Sequence, residues 1–256
     1  MKPFLFVTDL DHTLVGDDKA LKELNHDLER HRQEHGTKIV YATGRSITLY
    51  QQLTSEKSLL EPDALISSVG TEVYLDKDSQ TPDLEWSTKL SVGWNRELIV
   101  DIAANFDNEL TLQQESEQRP FKVSYIIEEA AAKEVLPQLK LLLESQNLKF
   151  NIIYSGSQDL DILPLYADKG LAVKYIQEKL GFFPERTVVC GDSGNDIALF
   201  SVGEERGIIV GNARSELIEW HRNNQTEYRY LAKAFYANGI MEGLHYFKFI
   251  DKPVTK

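Results

Sequence analysis

Cysteine is nearly absent from this sequence: Cys190 is the single one in 256 residues. An internal disulfide needs two cysteines and a Cys-rich structural zinc site needs more, so both are excluded. Cys190 lies inside Thr187-Val188-Val189-Cys190, an apolar run that predicts a buried strand. There it reads as a small core residue, not as a nucleophile. Long apolar runs are missing too. None approaches the roughly 20 residues that cross a bilayer. The first apolar stretch, Phe4 to Val7, is too short for a signal-peptide core and leads straight into Asp9, so the expectation is a cytoplasmic protein. Positive charge is scarce as well. The 28 Lys and Arg stand against 40 Asp and Glu, and a net charge of −12 argues against nucleic acid and anionic membranes as partners.

What is present is an ordinary globular composition, long enough for one large domain carrying a smaller one. There are no internal repeats. Short apolar runs alternate with helical stretches, the pattern of a parallel sheet covered by helices. Strands are predicted at Phe4 to Thr8, Thr37 to Ala42 and Ala64 to Ser68, with a hairpin partner at Thr71 to Leu75. A helix is predicted from Ala20 to His35, with Leu21, Leu24 and Leu28 on one face, and another from Ser46. Asp76 to Pro82 reads as a polar linker. A helix near Val92 to Phe106, a strand at Lys122 to Ile127, a helix near Glu129 to Ser145 and a strand at Lys149 to Tyr154 then suggest a small α+β insert. Asp159 to Pro164 is a further extended segment. From Lys169 the βα alternation returns: a helix to Leu180, the strand Thr187 to Gly191, a helix from Asn195, the strand Gly207 to Val210 and two C-terminal helices. The expected division is a core at 1–82 and 160–256, with the insert at 83–159.

Four features carry chemistry. Asp9-Leu10-Asp11-His12-Thr13 follows the first strand, so two carboxylates leave one strand end, where open α/β sheets bind ligands. Taken alone, this is also a common acidic turn. Thr43-Gly44-Arg45-Ser46 follows the second strand. A hydroxyl, a glycine and a helix start make an anion cradle, and equally an ordinary helix cap. Lys169 opens a predicted helix, where its charge opposes the helix dipole and calls for an anionic partner. Gly191-Asp192-Ser193-Gly194-Asn195-Asp196 gathers Asp192, Asn195 and Asp196 within one turn after an apolar strand. Such hard oxygen ligands suit Mg²⁺. In so acidic a chain, an anion site needs local positive potential from a metal, a lysine and backbone N–H groups.

As an ordered set these segments resemble the haloacid dehalogenase-like phosphatase superfamily. The resemblance implies a Rossmann-like α/β core with a C2-type cap. Asp9 would be the nucleophile, forming an aspartyl phosphate. Asp11 would protonate the leaving oxygen and then take a proton from water. Thr43 and Lys169 would hold the phosphoryl oxygens. Asp9, the main-chain carbonyl of Asp11, and Asp192 would bind Mg²⁺, with Asn195 and Asp196 in support. A general acid is worth about 10²–10⁴-fold, far below the up to ~10²¹-fold that phosphate monoesters require. Metal-centred electrostatics therefore has to supply more.

Within the superfamily the chain is similar to cyanobacterial and plant sucrose-phosphate phosphatases, through Ala42-Thr43-Gly44-Arg45-Ser46, Ser68-Val69-Gly70-Thr71-Glu72-Val73-Tyr74, Phe121-Lys122-Val123-Ser124-Tyr125 and Asp159-Leu160-Asp161-Ile162-Leu163-Pro164. That likeness implies sucrose 6-phosphate as substrate, in the last step of sucrose synthesis. Gly44, Arg45, Gly70 and Glu72 would contact it from the core, and Lys122, Ser124 and Asp161 from the cap. Trp86 and Trp94 read as core packing before sugar stacking. The partner is a small sugar phosphate, sucrose-phosphate synthase is the protein partner the likeness points to, and a monomer is expected. The alternatives are phosphatases of trehalose phosphate or mannosyl-3-phosphoglycerate, and a non-catalytic phospho-sensing module. Against the last, such modules are about half as long, lack a cap and gain nothing from an Asp11 that speeds hydrolysis.

Overall fold

The computed structural model describes residues 2–76, 79 and 81–251. In chain order its elements are β1 (Leu5–Thr8), α1 (Asp18–His35), β2 (Lys38–Ala42), α2 (Ile47–Glu56), β3 (Ala64–Ser67), β4 (Glu72–Tyr74) and α3 (Leu84–Leu90). There follow α4 (Arg96–Ala103), β5 (Thr111–Leu112), β6 (Val123–Ile126), α5 (Glu129–Ser145), β7 (Phe150–Ser155) and β8 (Asp159–Pro164). The chain then runs through α6 (Lys169–Leu180), β9 (Thr187–Gly191), α7 (Ile197–Ser201), β10 (Arg206–Ile209), α8 (Ser215–Asn223), β11 (Arg229–Leu231) and α9 (Tyr236–Tyr246).

Two sheets result. The larger has seven strands in the order β11-β10-β9-β1-β2-β3-β4. Its strands pair in parallel except β4, which runs antiparallel to β3. β1 is buried on both faces, as a central parallel strand must be. Phe4 and Phe6 join Leu24, Leu28, Ile240 and Leu244 under α1 and α9. Leu5 and Val7 join Ala172, Ile176, Leu199 and Leu217 under α6, α7 and α8. The smaller sheet is antiparallel, in the order β5-β6-β8-β7. Its core unites Val123, Tyr125, Leu160 and Ile162 with Ile99 of α4 and Leu139 and Leu143 of α5. The expected α/β class with an α+β insert is what the chain forms.

Several expectations shift. The 159/160 boundary cuts through β8, which pairs with β6 and β7, so residues 160–164 complete the small sheet. At the other end, α3 was not foreseen and packs on the large sheet. Trp86 and Leu90 join that core, Trp86 Nε1 donates to the Gly70 carbonyl at 3.0 Å, and the Tyr175 hydroxyl donates to Asp83 at 2.6 Å. A seven-residue helix is too short for its periodicity to stand out. The helix expected from Val92 starts later, where the Asn95 side chain accepts from the Leu98 N–H. Strands β5 and β11, of two and three residues, carry no pattern long enough to read. Part of the expected linker Asp76 to Pro82 lies outside the described residues. Among those described, no helix is long and apolar enough to cross a membrane.

β1 lies between β2 and β9, and the chain leaves it in opposite directions on its two sides. This is the switch point where the carboxyl ends of strands frame a crevice. After β3 the backbone enters left-handed space at Ser68, Val69 and Gly70, with φ of 51°, 60° and 95°. Such a run costs energy for Val69, a β-branched residue. It carries the Ser68 and Val69 N–H groups onto the carbonyls of Arg45 and Thr43, at 2.8 and 3.1 Å. Gly70 then meets the start of α6, and a Cβ there would lie 2.3 Å from the Asp168 carbonyl carbon. We expect Gly70→Ala to lose about 1–3 kcal/mol of stability, read from urea unfolding midpoints at unchanged slope.

Candidate active site

Three strand ends and one helix start meet at the crevice. Asp9 and Asp11 follow β1, Thr43 follows β2, Asp192 follows β9, and Lys169 begins α6. The turn after Asp9 holds His12 at φ 59°, and the His12 carbonyl accepts from Asn212 Nδ2 at 2.7 Å. Leu10 is fully buried between the two aspartates and anchors the turn.

Lys169 is fully buried, and a buried ammonium has three protons to place. They go to Asp9 Oδ1 at 2.7 Å, Asn195 Oδ1 at 2.9 Å and Asp196 Oδ1 at 2.7 Å. Burial alone would lower the pKa of Lys169, but Asp196 and Asp9 outweigh it and hold the group charged. Asp196 is spent on the other side as well, since its Oδ2 accepts the N–H groups of Asp192 and Ser193 at 2.9 and 3.1 Å. Sequence reasoning expected Lys169 to hold the phosphoryl oxygens directly. Its three donors pin Asp9 and brace the Asp192 loop. α6 carries it there because Asp168 caps the Leu171 N–H and Gly170 packs on the Ala198 carbonyl, which would lie 2.2 Å from a Cβ.

Oxygens of Asp9, Asp192 and Asp196 lie within 4.8 Å of one another. Burial pushes the Asp9 carboxyl well above the ordinary carboxylate range. Lys169 pulls it back, and the charges of Asp196 and Asp11 add to the rise. Asp192 is raised by burial, then by Asp9 and Asp196, against the pull of the Thr13 hydroxyl, which donates to its Oδ1 at 3.0 Å. Asp9 and Asp192 each keep their second oxygen clear of hydrogen bonds among the described residues. Crowded carboxylates with two such oxygens suit a divalent cation that takes few protein ligands and retains water. The donor set thus fits a metal through Asp9 and Asp192. Asn195 and Asp196, expected to orient metal-bound water or Lys169, both hold Lys169, and Asp196 stays within the carboxylate cluster.

Asp11 is the most exposed of the group. Arg45 grips it with two bonds of 2.7 Å, from Nε to Oδ2 and from Nη2 to Oδ1. The Thr43 hydroxyl accepts from the Arg45 N–H at 3.1 Å and shapes the Thr43-Gly44-Arg45 turn. Asp9, Asp11, Gly44, Arg45, Asp192 and Asn195 line a cleft of about 390 Å³, with Lys122 and Asp161 of the small sheet on its other wall. Thr43, Lys169 and Asp196 are buried beneath it.

Three expected sugar contacts do not line this cleft. Gly70 abuts α6, as above. Glu72 is saturated by Ser67, Tyr74 and Arg119, at 3.1, 3.1 and 2.7 Å. Ser124 lies behind Asp161 and donates to its Oδ1 at 2.5 Å. Trp86 is buried in the core and Trp94 packs on the small one. Sequence reasoning missed Gln113, Gln114, Glu117, Gln158, Asp159 and Arg214, which all line the cleft. All but Asp159, which opens β8, stand outside the helices and strands named above, where spacing carries no signal. Thr13 was inside a recognised segment, yet nothing there marked it as a partner of Asp192.

A family profile described as sucrose-6F-phosphate phosphohydrolase matches residues 2–248. The chain belongs to that family. It is 43% identical over 252 residues to a probable sucrose-phosphatase 2 of Arabidopsis thaliana, covering 95% of this chain and 59% of that protein. The chain therefore spans little more than half the length of the plant relatives it matches. A mannosylfructose-phosphate phosphatase of Agrobacterium fabrum is 33% identical, with 96% of this chain and 98% of that protein covered. The sucrose-phosphatase of Synechocystis sp. PCC6803, solved in complex with sucrose and phosphate, superposes with a TM-score of 0.89 at 37% identity, covering 97% of this chain and 99% of that one. A haloacid dehalogenase-like hydrolase of Bacillus subtilis, 21% identical with a TM-score of 0.65, covers 97% of this chain and 93% of its own and shares the fold. The superfamily and family resemblance of the sequence is thereby established.

Asp9 and Asp192 retain protons in the folded state that an unfolded chain would release, so without a cation their contribution to stability falls as pH rises out of the ordinary carboxylate range and through neutrality. A divalent cation reverses this by favouring the ionised forms. The rise in Tm on adding a divalent cation to chelated protein should grow between about pH 5 and pH 8. Thermal melts at each pH check this, and a pH-independent gain would contradict it.

Proposed function

We propose that this chain is a magnesium-dependent phosphatase that hydrolyses sucrose 6-phosphate to sucrose and phosphate. The observation that carries the reading is the cleft itself, with Asp9, Asp11 and Asp192 on one wall and the hydrogen-bonding groups of Lys122 and Asp161 on the other. A phosphate ester can meet the first set while its sugar hydroxyls meet the second. The relatives covered over nearly their whole length support the choice of a disaccharide phosphate, since one was solved with sucrose and phosphate and the other is named for mannosylfructose phosphate.

A carboxylate oxygen of Asp9 attacks phosphorus while Lys169 holds the side chain in place. The bond from phosphorus to the sugar oxygen breaks, and that oxygen takes a proton from Asp11. Water then attacks the aspartyl phosphate and gives a proton to Asp11, and phosphate leaves Asp9 as a free carboxylate. To act, Asp11 turns from Arg45, and the freed guanidinium faces the anionic substrate. Thr43 and Gly44 offer hydroxyl and N–H groups to the phosphoryl oxygens. Asp9, Asp192 and the Asp11 carbonyl would hold Mg²⁺, which supplies the charge that offsets repulsion between a carboxylate and a phosphate. We further read residues from about 91 to 164 as the cap. A cytosolic setting accords with a lone buried cysteine. A monomer supplied by a sucrose-phosphate synthase remains part of this reading.

Asp9→Asn should lower kcat on sucrose 6-phosphate by at least about 10³-fold, measured as phosphate release. A panel with mannosylfructose phosphate, trehalose 6-phosphate and mannosyl-3-phosphoglycerate, run with and without chelator, tests substrate and metal together. Turnover that survives chelation, or equal kcat/KM on every ester, contradicts the corresponding half of the reading.

A further inference from the structure

We infer that Glu117 is a positioning residue that fastens the sugar-facing wall of the cleft to the N-terminus of α2. The inference rests on the function proposed above and deepens it. Glu117 ends a short helical turn, Glu115–Glu117, in the loop between β5 and β6, and only 5% of it is exposed. Its two oxygens face different parts of the molecule. Oε1 accepts the backbone N–H of Ser46 at 3.2 Å, and Oε2 accepts from Lys122 Nζ at 3.1 Å. Lys122 reaches on to Asp161 at 3.4 Å, and Asp161 accepts from Ser124 at 2.5 Å. An unbroken polar chain therefore runs from the Thr43-Gly44-Arg45 turn, through Ser46 and Glu117, to the groups that meet the sugar.

Charge balance alone does not account for Glu117. Lys122 is buried and already has Asp161 as a counter-ion, and burying a second carboxylate costs desolvation. The other oxygen gives the reason. A carboxylate on the first N–H of a helix is favoured by the helix dipole, and here it ties a loop of the small sheet to the large one. The same loop makes a second tie, from Arg119 Nε to the buried Glu72 at 2.7 Å. Neither Arg119 nor Glu72 lines the cleft, and Arg119 meets Lys122 only through backbone hydrogen bonds of 3.0 and 3.1 Å, so this tie does not reach the Lys122 ammonium. Glu117 thus sets where Lys122 and Asp161 stand relative to Asp9. Hydroxyl recognition depends on such placement, because a misplaced donor leaves buried groups unpaired.

The test compares Glu117→Ala and Glu117→Gln with the native protein on sucrose 6-phosphate and on p-nitrophenyl phosphate, which has no sugar. The readout is the ratio of kcat/KM between the two esters, which a uniformly loosened fold would leave unchanged. We expect the ratio to fall about tenfold or more in Glu117→Ala, carried chiefly by KM for the sugar ester. Glu117→Gln keeps an oxygen for the Ser46 N–H and should recover part of the loss. A ratio within about twofold of native in Glu117→Ala overturns the inference, whatever happens to absolute rates or Tm. Should Glu117→Ala not fold, Glu117→Gln carries the same test, with a fall of about threefold supporting the inference and an unchanged ratio overturning it. If the native protein prefers a different sugar phosphate, that ester takes the place of sucrose 6-phosphate. A native protein with no preference for any sugar ester overturns the proposed function as well, whereas a preserved ratio overturns the inference alone.

Discussion

A buried ammonium with three anionic or polar acceptors is the constraint on which this site is built. Lys169 has no access to water, so its charge is tolerable only if Asp9, Asn195 and Asp196 all reach it. That requirement draws together the end of β1, the start of α6 and the loop after β9. It also makes the two oxygens of Asp9 unequal. Oδ1 is held by Lys169, while Oδ2 has no hydrogen bond among the described residues. The close approaches around Lys169 serve the same end. Gly170 lies against the Ala198 carbonyl and Gly70 against the Asp168 carbonyl carbon, and neither site has room for a methyl group.

Charge explains how so acidic a chain can meet a phosphate ester. Its cleft is itself lined with carboxylates, and two of them, Asp9 and Asp192, are raised by burial and by neighbouring carboxylates. Arg45 is occupied by Asp11, Lys122 by Glu117 and Asp161, and Lys169 by three partners. These three cations therefore organise carboxylates, and Arg214 is the remaining arginine or lysine named on the cleft wall. A divalent cation between Asp9 and Asp192 would supply what the side chains do not. This agrees with the general view that phosphoryl transfer is governed by positioning and charge neutralisation.

The small sheet contributes through its connections as much as through its surface. The segments that carry the likeness to sucrose-phosphate phosphatases include Gly70, Glu72 and Ser124, yet none of these three lines the cleft. The turn at Ser68 and Val69 hydrogen-bonds the Thr43-Gly44-Arg45 backbone, and Glu72 receives Arg119 from the cap side. Family resemblance marks that a residue matters without saying whether it touches substrate or holds what does. Burial and bond partners make that distinction.

Much of the fold was legible because long elements leave long patterns. The 18 residues of α1 repeat Leu21, Leu24 and Leu28 on one face, and β1 and β9 are continuous apolar runs, so both kinds could be read from local order alone. The shortest elements, α3, β5 and β11, were invisible because two to seven residues cannot establish a period. The identities of Asp9, Asp11, Lys169 and Asp192 were legible too, since each sits at a strand end or helix start whose position the pattern predicts. What each one does with its bonds was not. Sequence by itself determined which groups arrive at the edge of the sheet, because hydrophobic periodicity fixes where strands end. Only the tertiary structure decided that Lys169 reaches Asp9, Asn195 and Asp196 together and that Glu117 joins Ser46 to Lys122. Those outcomes depend on satisfying buried charges between residues up to 160 positions apart along the chain, which local pattern does not encode.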